Sequence, residues 1–216
     1  TRMEASDGAL REGLLFDLIG RIRHEDVRSA SVLAMARRYH ADADQAQRVA
    51  TLAEYLRAEV AQDWSLENSQ ARDMLNWAAQ VHEIGLDISH SQYHKHGEYI
   101  VRHSDLAGFS REEQQVLGTL VRAHRRKFPR SAFRDLPEDW QKPAMRLAVL
   151  LRVAVGLHRA RSHEPLPAVD LRAAGRKLVM AFPARWLDEH ALVEAELGEE
   201  AAYLDGAGFR LKIDRS

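Results

Sequence analysis

Residues 74–96 read MLNWAAQVHEIGLDISHSQYHKH, and the rest of the chain makes most sense as a scaffold around them. Met74, Leu75, Trp77, Ala78, Val81 and Ile84 recur at helical spacing, which predicts a buried helix leading into His82-Glu83. Gly85 reads as the end of that helix. A short link then delivers His90, His94, Lys95 and His96. Four groups that are cationic or nearly so, within seven positions, are hard to bury. They fit either a solvated helix start or a phosphate site.

Working outward toward the N-terminus, Asp42 or Asp44 is placed to cap a helix carrying Val49, Leu52, Ala53, Leu56 and Val60, with Trp64 near its end. A helix over about residues 25–39 is expected to turn Val27, Ala30, Ser31, Ala34 and Met35 inward. Before it, Asp7 can cap another with Leu10, Leu14, Leu15, Leu18 and Ile19 on one face.

Toward the C-terminus, Tyr99, Ile100 and His103 predict a helix through HKHGEYIVRH. Ser110 with Glu113 three residues on is a capping-box signature. The helix it opens runs through Val116, Leu117, Leu120 and Val121 to His124. Arg125, Arg126 and Lys127 are expected in its last turn, where cations suit the negative end of the helix dipole. Pro129 stops it, and a loop with Arg130, Phe133 and Arg134 follows. The apolar run from Met145 to Leu157 implies a helix buried on most sides.

At Glu164-Pro165-Leu166-Pro167 the texture changes. Residues 168–171 and 177–182 read as strands joined through Ala174-Gly175, residues 188–203 as an acidic helix, and residues 209–213 as a last strand. The expected fold class is mainly α: a helical domain over 21–163, then a small α/β domain (β-β-α-β) over 164–216.

Composition narrows the function. The 216 residues, 45% of them hydrophobic, suit one large domain or a domain with an appendage. There is no apolar run near the roughly 18 residues of a membrane span and no signal-peptide pattern. Cysteine is absent, which rules out disulfides and thiolate metal sites and fits a cytoplasmic protein. Thr1 in place of an initiator methionine fits a numbering that begins inside a longer chain.

The net charge of −1 argues against bulk affinity for polyanions, and no nucleic acid or membrane partner is expected. The distribution says more. Residues 90–161 hold fourteen Lys and Arg against seven Asp and Glu, whereas residues 186–205 hold seven acids and no Lys or Arg. A solvated face would usually mix signs, whereas His124-Arg125-Arg126-Lys127, the Arg130/Arg134 loop and the Arg159/Arg161 helix end continue one sign. The candidate polyanion contacts are therefore His90, His94, Lys95, His96, His124, Arg125, Arg126 and Lys127, with Arg130, Arg159 and Arg161 as outer members. Arg offers bidentate contacts to phosphate oxygens and Lys a point charge. Histidines near their ordinary pKa of about 6.5 would add charge as pH drops.

A histidine-acid pair closing a buried helix, with more histidines a turn or two later, resembles the opening of metal-dependent phosphohydrolases of the HD superfamily. More specifically, SDGALREG (6–13), HEIGLDISHSQYHKHGEYI (82–100), GFSREEQ (108–114) and LVRAHRRKF (120–128), in that order, resemble the C-terminal half of the exopolyphosphatase/guanosine pentaphosphate phosphohydrolase family. The resemblance covers essentially the whole chain. It implies an HD-like helical domain with a small α/β domain after it, and residues 1–20 as the closing helix of an actin-like half. It also implies that hydrolysis belongs to that N-terminal catalytic half, with its glycine-rich phosphate loops, a glutamate and Mg²⁺. The chain itself carries no glycine-rich phosphate-cradling loop.

An HD metal site needs an early histidine, a His-Asp pair and a late aspartate. By motif position these fall at Gln45, at His82-Glu83 and near Val155. An amide is a weak ligand and a valine is none, so neither metal nor catalytic residues are expected in this chain. The reading is a non-catalytic module that binds polyphosphate, or the phosphates of guanosine pentaphosphate, and helps to form a homodimer. A surviving HD-type phosphohydrolase and a purely structural dimerisation module are the rivals.

Overall fold

A computed structural model describes residues 27–162 and 164–216, so the expected helix around Leu10–Ile19 lies outside the described residues. Among these residues nine helices and three strands follow one another. Helix α1 spans Val27–Arg38, α2 Ala43–Trp64 and α3 Ser69–Val81. Helix α4 spans Tyr93–His103, α5 Arg111–Ala123, α6 Arg130–Arg134 and α7 Glu138–Leu157. Strands β1 (Asp170–Ala174) and β2 (Lys177–Phe182) come next, then α8 (Ala184–Glu189), α9 (Ala191–Asp205) and β3 (Arg210–Arg215). The fold is mainly α with a small α/β unit at its C-terminal end.

Helix α7 is the hub. Leu147–Leu151 and Val153–Leu157 are almost all buried, and α2, α3, α5, α6 and α9 pack around it. The local stop and start signals act where the sequence places them. Asp42 Oδ1 accepts from Gln45 N at 2.9 Å to open α2, and Asn68 Oδ1 accepts from Ala71 N at 2.7 Å to open α3. Ser110 and Glu113 make both bonds of a capping box ahead of α5, at 3.1 and 2.8 Å.

Four local expectations are corrected. Helix α3 ends at Val81, before Gly85, which lies in a 3₁₀ turn over Ile84–Asp87. There, a Cβ on Gly85 would stand 2.0 Å from Tyr93 O and 2.6 Å from Gly97 N, so glycine is required by the close approach of α4. Helix α1 buries Val32, Met35 and Ala36, while Val27, Ala30 and Ala34 are exposed. Alanine and serine carry too little apolar weight to fix a face, and the packing partner decides. Arg125–Lys127 lie beyond the last turn of α5, in a bend where Arg126 has φ +60°. The acidic helix is two helices, broken at His190.

The sheet order is β1-β2-β3, with β1 antiparallel and β3 parallel to β2. A two-residue turn led by Gly175 (φ +58°) joins β1 to β2, and α8 and α9 make the longer crossover that a parallel pair needs. Leu171, Leu178, Met180, Phe182 and Leu211 are buried members of one hydrophobic cluster that runs unbroken into the helices. Trp64 marks the join: its ring meets Phe209 edge-on at 6.1 Å, and its Nε1 donates to Gly175 O at 3.1 Å. Tyr55 Oη also donates to Val169 O, at 3.0 Å. No helix of the described residues is long and apolar enough to cross a membrane.

A basic groove as candidate polyanion site

The 3₁₀ turn and Gly97 seat the start of α4 against α5, where a Cβ on Gly97 would meet Val121 Cγ1 at 2.8 Å. That brings His90, His94 and Lys95 beside the bend that follows α5. Between them opens a groove of about 980 Å³, lined from one side by His90, Ser91, Gln92, His94 and Lys95. Arg122, Arg125, Arg126, Lys127, Phe128 and Arg130 line it from a second side, and Ala202, Tyr203 and Gly206 at the end of α9 form the third. Six of the lining residues are Lys or Arg and none is Asp or Glu. Such a surface repels itself and is stabilised by an anion. Arg125 lies over the Tyr93 ring at 4.4 Å, which orients its guanidinium.

Seven of the sequence-derived candidates meet here: His90, His94, Lys95, Arg125, Arg126, Lys127 and Arg130. The others stand elsewhere. His96 is half-buried on α4 and does not line the groove. His124 is 1% exposed, its Nδ1 donating to Val121 O at 2.6 Å. Arg159 borders a smaller hollow, also lined by Arg125 and Arg126, and reaches Glu196 at 3.4 Å. Arg161 is held by Asp42 at 2.6 Å and by both oxygens of Glu83 at 2.8 Å.

The sequence reading counted Arg122 among the basic residues but did not single it out; it lines the groove while its Nη1 donates to Glu98 Oε2 at 2.8 Å. Tyr203 was missed for a different reason. It arrives from the acidic tail, and no local pattern announces that α9 walls the basic groove.

Under the groove His82, His94 and His124 cluster, with the His124 ring centroid 5.3 Å from that of His82 and 6.3 Å from that of His94. His82 Nδ1 donates to Ala79 O at 2.7 Å, and Nε2 of His82, Nε2 of His124 and Nδ1 of His94 are buried without a hydrogen-bond partner. Burial holds His82 below the ordinary imidazole range and His124 well below it. For His94, burial and then Arg122 and Arg125 push the value down to about 4. The two candidates among them, His94 and His124, therefore do not gain charge near pH 6, contrary to the simple expectation from composition.

The positions of an HD metal site do not make a metal-binding set. Gln45 is buried, its Nε2 donating to His158 O at 2.8 Å and its Oε1 accepting from Arg48 at 2.9 Å. Val155 offers no donor atom, and the Glu83 carboxylate is taken by Arg161. Among the described residues no group of three or more His, Asp or Glu is arranged to hold a metal ion.

Residues 27–201 match the family model described as Ppx/GppA phosphatase, domain III. The chain is 33% identical over 213 residues to a guanosine-5'-triphosphate,3'-diphosphate pyrophosphatase of Pseudoalteromonas translucida, covering 99% of this chain and 43% of that protein. It is 33% identical to the protein so named in Photobacterium profundum and 34% identical to the one in Vibrio cholerae, in each case over 42% of the relative. The chain thus spans less than half the length of these curated relatives. On the matched residues and these identities, the chain belongs to the Ppx/GppA phosphatase family, of which it carries domain III.

Proposed function

We propose that this chain is the phosphate-chain-holding module of a phosphoanhydride hydrolase, without catalytic chemistry of its own. Its ligand is inorganic polyphosphate, lying in the groove between α4, the 125–130 bend and α9. An N-terminal catalytic half, using Mg²⁺, would remove terminal phosphates while the groove keeps the polymer in place, in the cytoplasm and as a homodimer. One observation carries the reading: a groove of about 980 Å³ whose charged lining is all of one sign. Polyphosphate carries roughly one negative charge per residue, with more on its terminal group. A row of Arg and Lys holds such a chain without reading any sequence, and does so by releasing its counterions.

The names of the relatives favour a second ligand, guanosine 5'-triphosphate 3'-diphosphate, for the same groove. Its phosphates present the same chemistry to the same cations. Competition separates the two: displacement of polyphosphate by the nucleotide at far lower concentration than by tripolyphosphate supports the nucleotide, and equal displacement supports the polymer.

The test of the groove itself is a titration of the chain carrying Arg125→Ala, Arg126→Ala and Lys127→Ala with long-chain polyphosphate. Each charge-assisted contact is worth about 1.5–3 kcal/mol, so affinity at low salt is expected to fall on the order of 100-fold or more. Wild-type affinity in this folded variant would overturn the reading.

A further inference from the structure

Arg152 is a cation sealed inside the molecule, 1% exposed, on the hub helix α7. Its guanidinium forms a fork-to-fork ion pair with Glu200 of α9, through Nε to Oε1 and through Nη2 to Oε2 at 2.9 Å. Two of the three remaining N–H donors go to main-chain carbonyls. Nη1 donates to Ala123 O at 2.5 Å and Nη2 to Arg126 O at 2.7 Å. Ala123 is the last residue of α5, where carbonyls lose their helical partners. Arg126 holds the left-handed conformation that costs a side-chain-bearing residue about 1–2 kcal/mol. One planar group therefore staples the end of α5 to the middle of the bend that projects Arg125, Arg126 and Lys127.

The energetics give the pair a purpose beyond stability. A buried ion pair is no better for folding than apolar side chains of like volume, because desolvation of both charges offsets their attraction. Burial does pull Glu200 toward its neutral form, against the pull of Arg152. What an apolar pair cannot do is hold two carbonyls three residues apart in fixed relation to α9, which also supplies Ala202 and Tyr203, with Gly206 just past its end, to the groove. We propose that Arg152, fixed by Glu200, is the positioning residue that presents the 125–127 bend to the groove and sets it in register with the α9 wall. The consequence for ligand binding rests on the groove reading above; the staple itself does not.

The deciding variant is Arg152→Lys in the full chain. It keeps a cation opposite Glu200, but a point-like ammonium cannot span a carboxylate and both carbonyls as the guanidinium fork does. Two readouts apply: tryptic cleavage after Arg125, Arg126 and Lys127 relative to other sites, and polyphosphate affinity with its salt dependence. The expected result is a folded protein with cleavage at the bend about tenfold faster, cleavage elsewhere unchanged, and affinity about tenfold weaker with a shallower salt slope. Wild-type cleavage and affinity would overturn the proposal. So would an equal acceleration at every site, which marks a merely structural role. Should Arg152→Lys not fold, Glu200→Gln, which keeps the volume and loses the charge, is read by the same two outcomes. If the wild-type chain binds no polyphosphate, the groove reading fails, and the cleavage pattern still decides the staple.

Discussion

His82, His94 and His124 are held below the ordinary imidazole range first because burial removes their rings from water; Arg122 and Arg125 add to this at His94, and His82, His94 and Arg125 add to it at His124. The sign of the resulting pH effect follows from linkage. Above the unfolded value of about 6.5 both states are neutral at these sites and nothing changes. As pH falls through 6.5 the unfolded chain takes up protons that the folded chain does not, so stability drops. The drop continues toward the folded value, about 4 for His94, at up to about 1.4 kcal/mol per pH unit for each histidine. The urea midpoint is therefore expected to fall steadily from pH 7 to pH 5, and His94→Gln should flatten part of that fall; an unchanged midpoint across this range contradicts it. Residue-scale signals were the ones best legible in the sequence. Asp42 and the Ser110/Glu113 box act through bonds spanning three residues, and spacing alone shows such bonds. The burial of His124 was not legible, because the same HRRK string suits an exposed bend as well as a buried ring.

At the scale of elements, two joints decide whether the groove exists. The first is the contact of the 3₁₀ turn with α4 at Gly85. Gly85→Ala would drive a methyl into Tyr93 O and Gly97 N, backbone atoms that cannot rotate away. A loss of about 3 kcal/mol or more is expected from overpacking of this kind, with weaker polyphosphate binding because His94 and Lys95 move with α4. A denaturation midpoint equal to wild type contradicts this. The second joint is Trp64, buried between α2 and the sheet. Trp64→Ala should cost about 3–5 kcal/mol, and since the core is continuous, helices and sheet should still melt in one transition. Two separated transitions in circular dichroism would contradict a shared core. The helices of this region were legible from their period, yet their faces were not always so. For α2 the stripe Val49, Leu52, Ala53, Leu56 and Val60 is buried as read. For α1 the stripe was misassigned, because the burying partner is far away in sequence.

At the scale of the whole molecule, the basic middle and acidic tail seen in the sequence are neighbours in space. Helix α9 supplies one wall of the basic groove, and on the adjoining side Glu196, Glu199 and Glu200 face Arg125, Arg126 and Arg159. The acids lie next to the groove without lining it; Arg159 reaches Glu196 at 3.4 Å, while the groove lining itself keeps one sign of charge. Sequence could show the two charge blocks, each being local; it could not show their adjacency, which the α7 hub and the β2–β3 crossover create. Raising ionic strength should leave the buried Arg152–Glu200 pair intact and act mainly on the open cations. The most direct test is a titration of the chain with long-chain polyphosphate over a series of salt concentrations. Tight binding at low salt with log affinity falling linearly and steeply against log salt, by about four or more released counterions, is the predicted result. A folded sample that binds no polyphosphate at low salt would contradict the phosphate-holding groove.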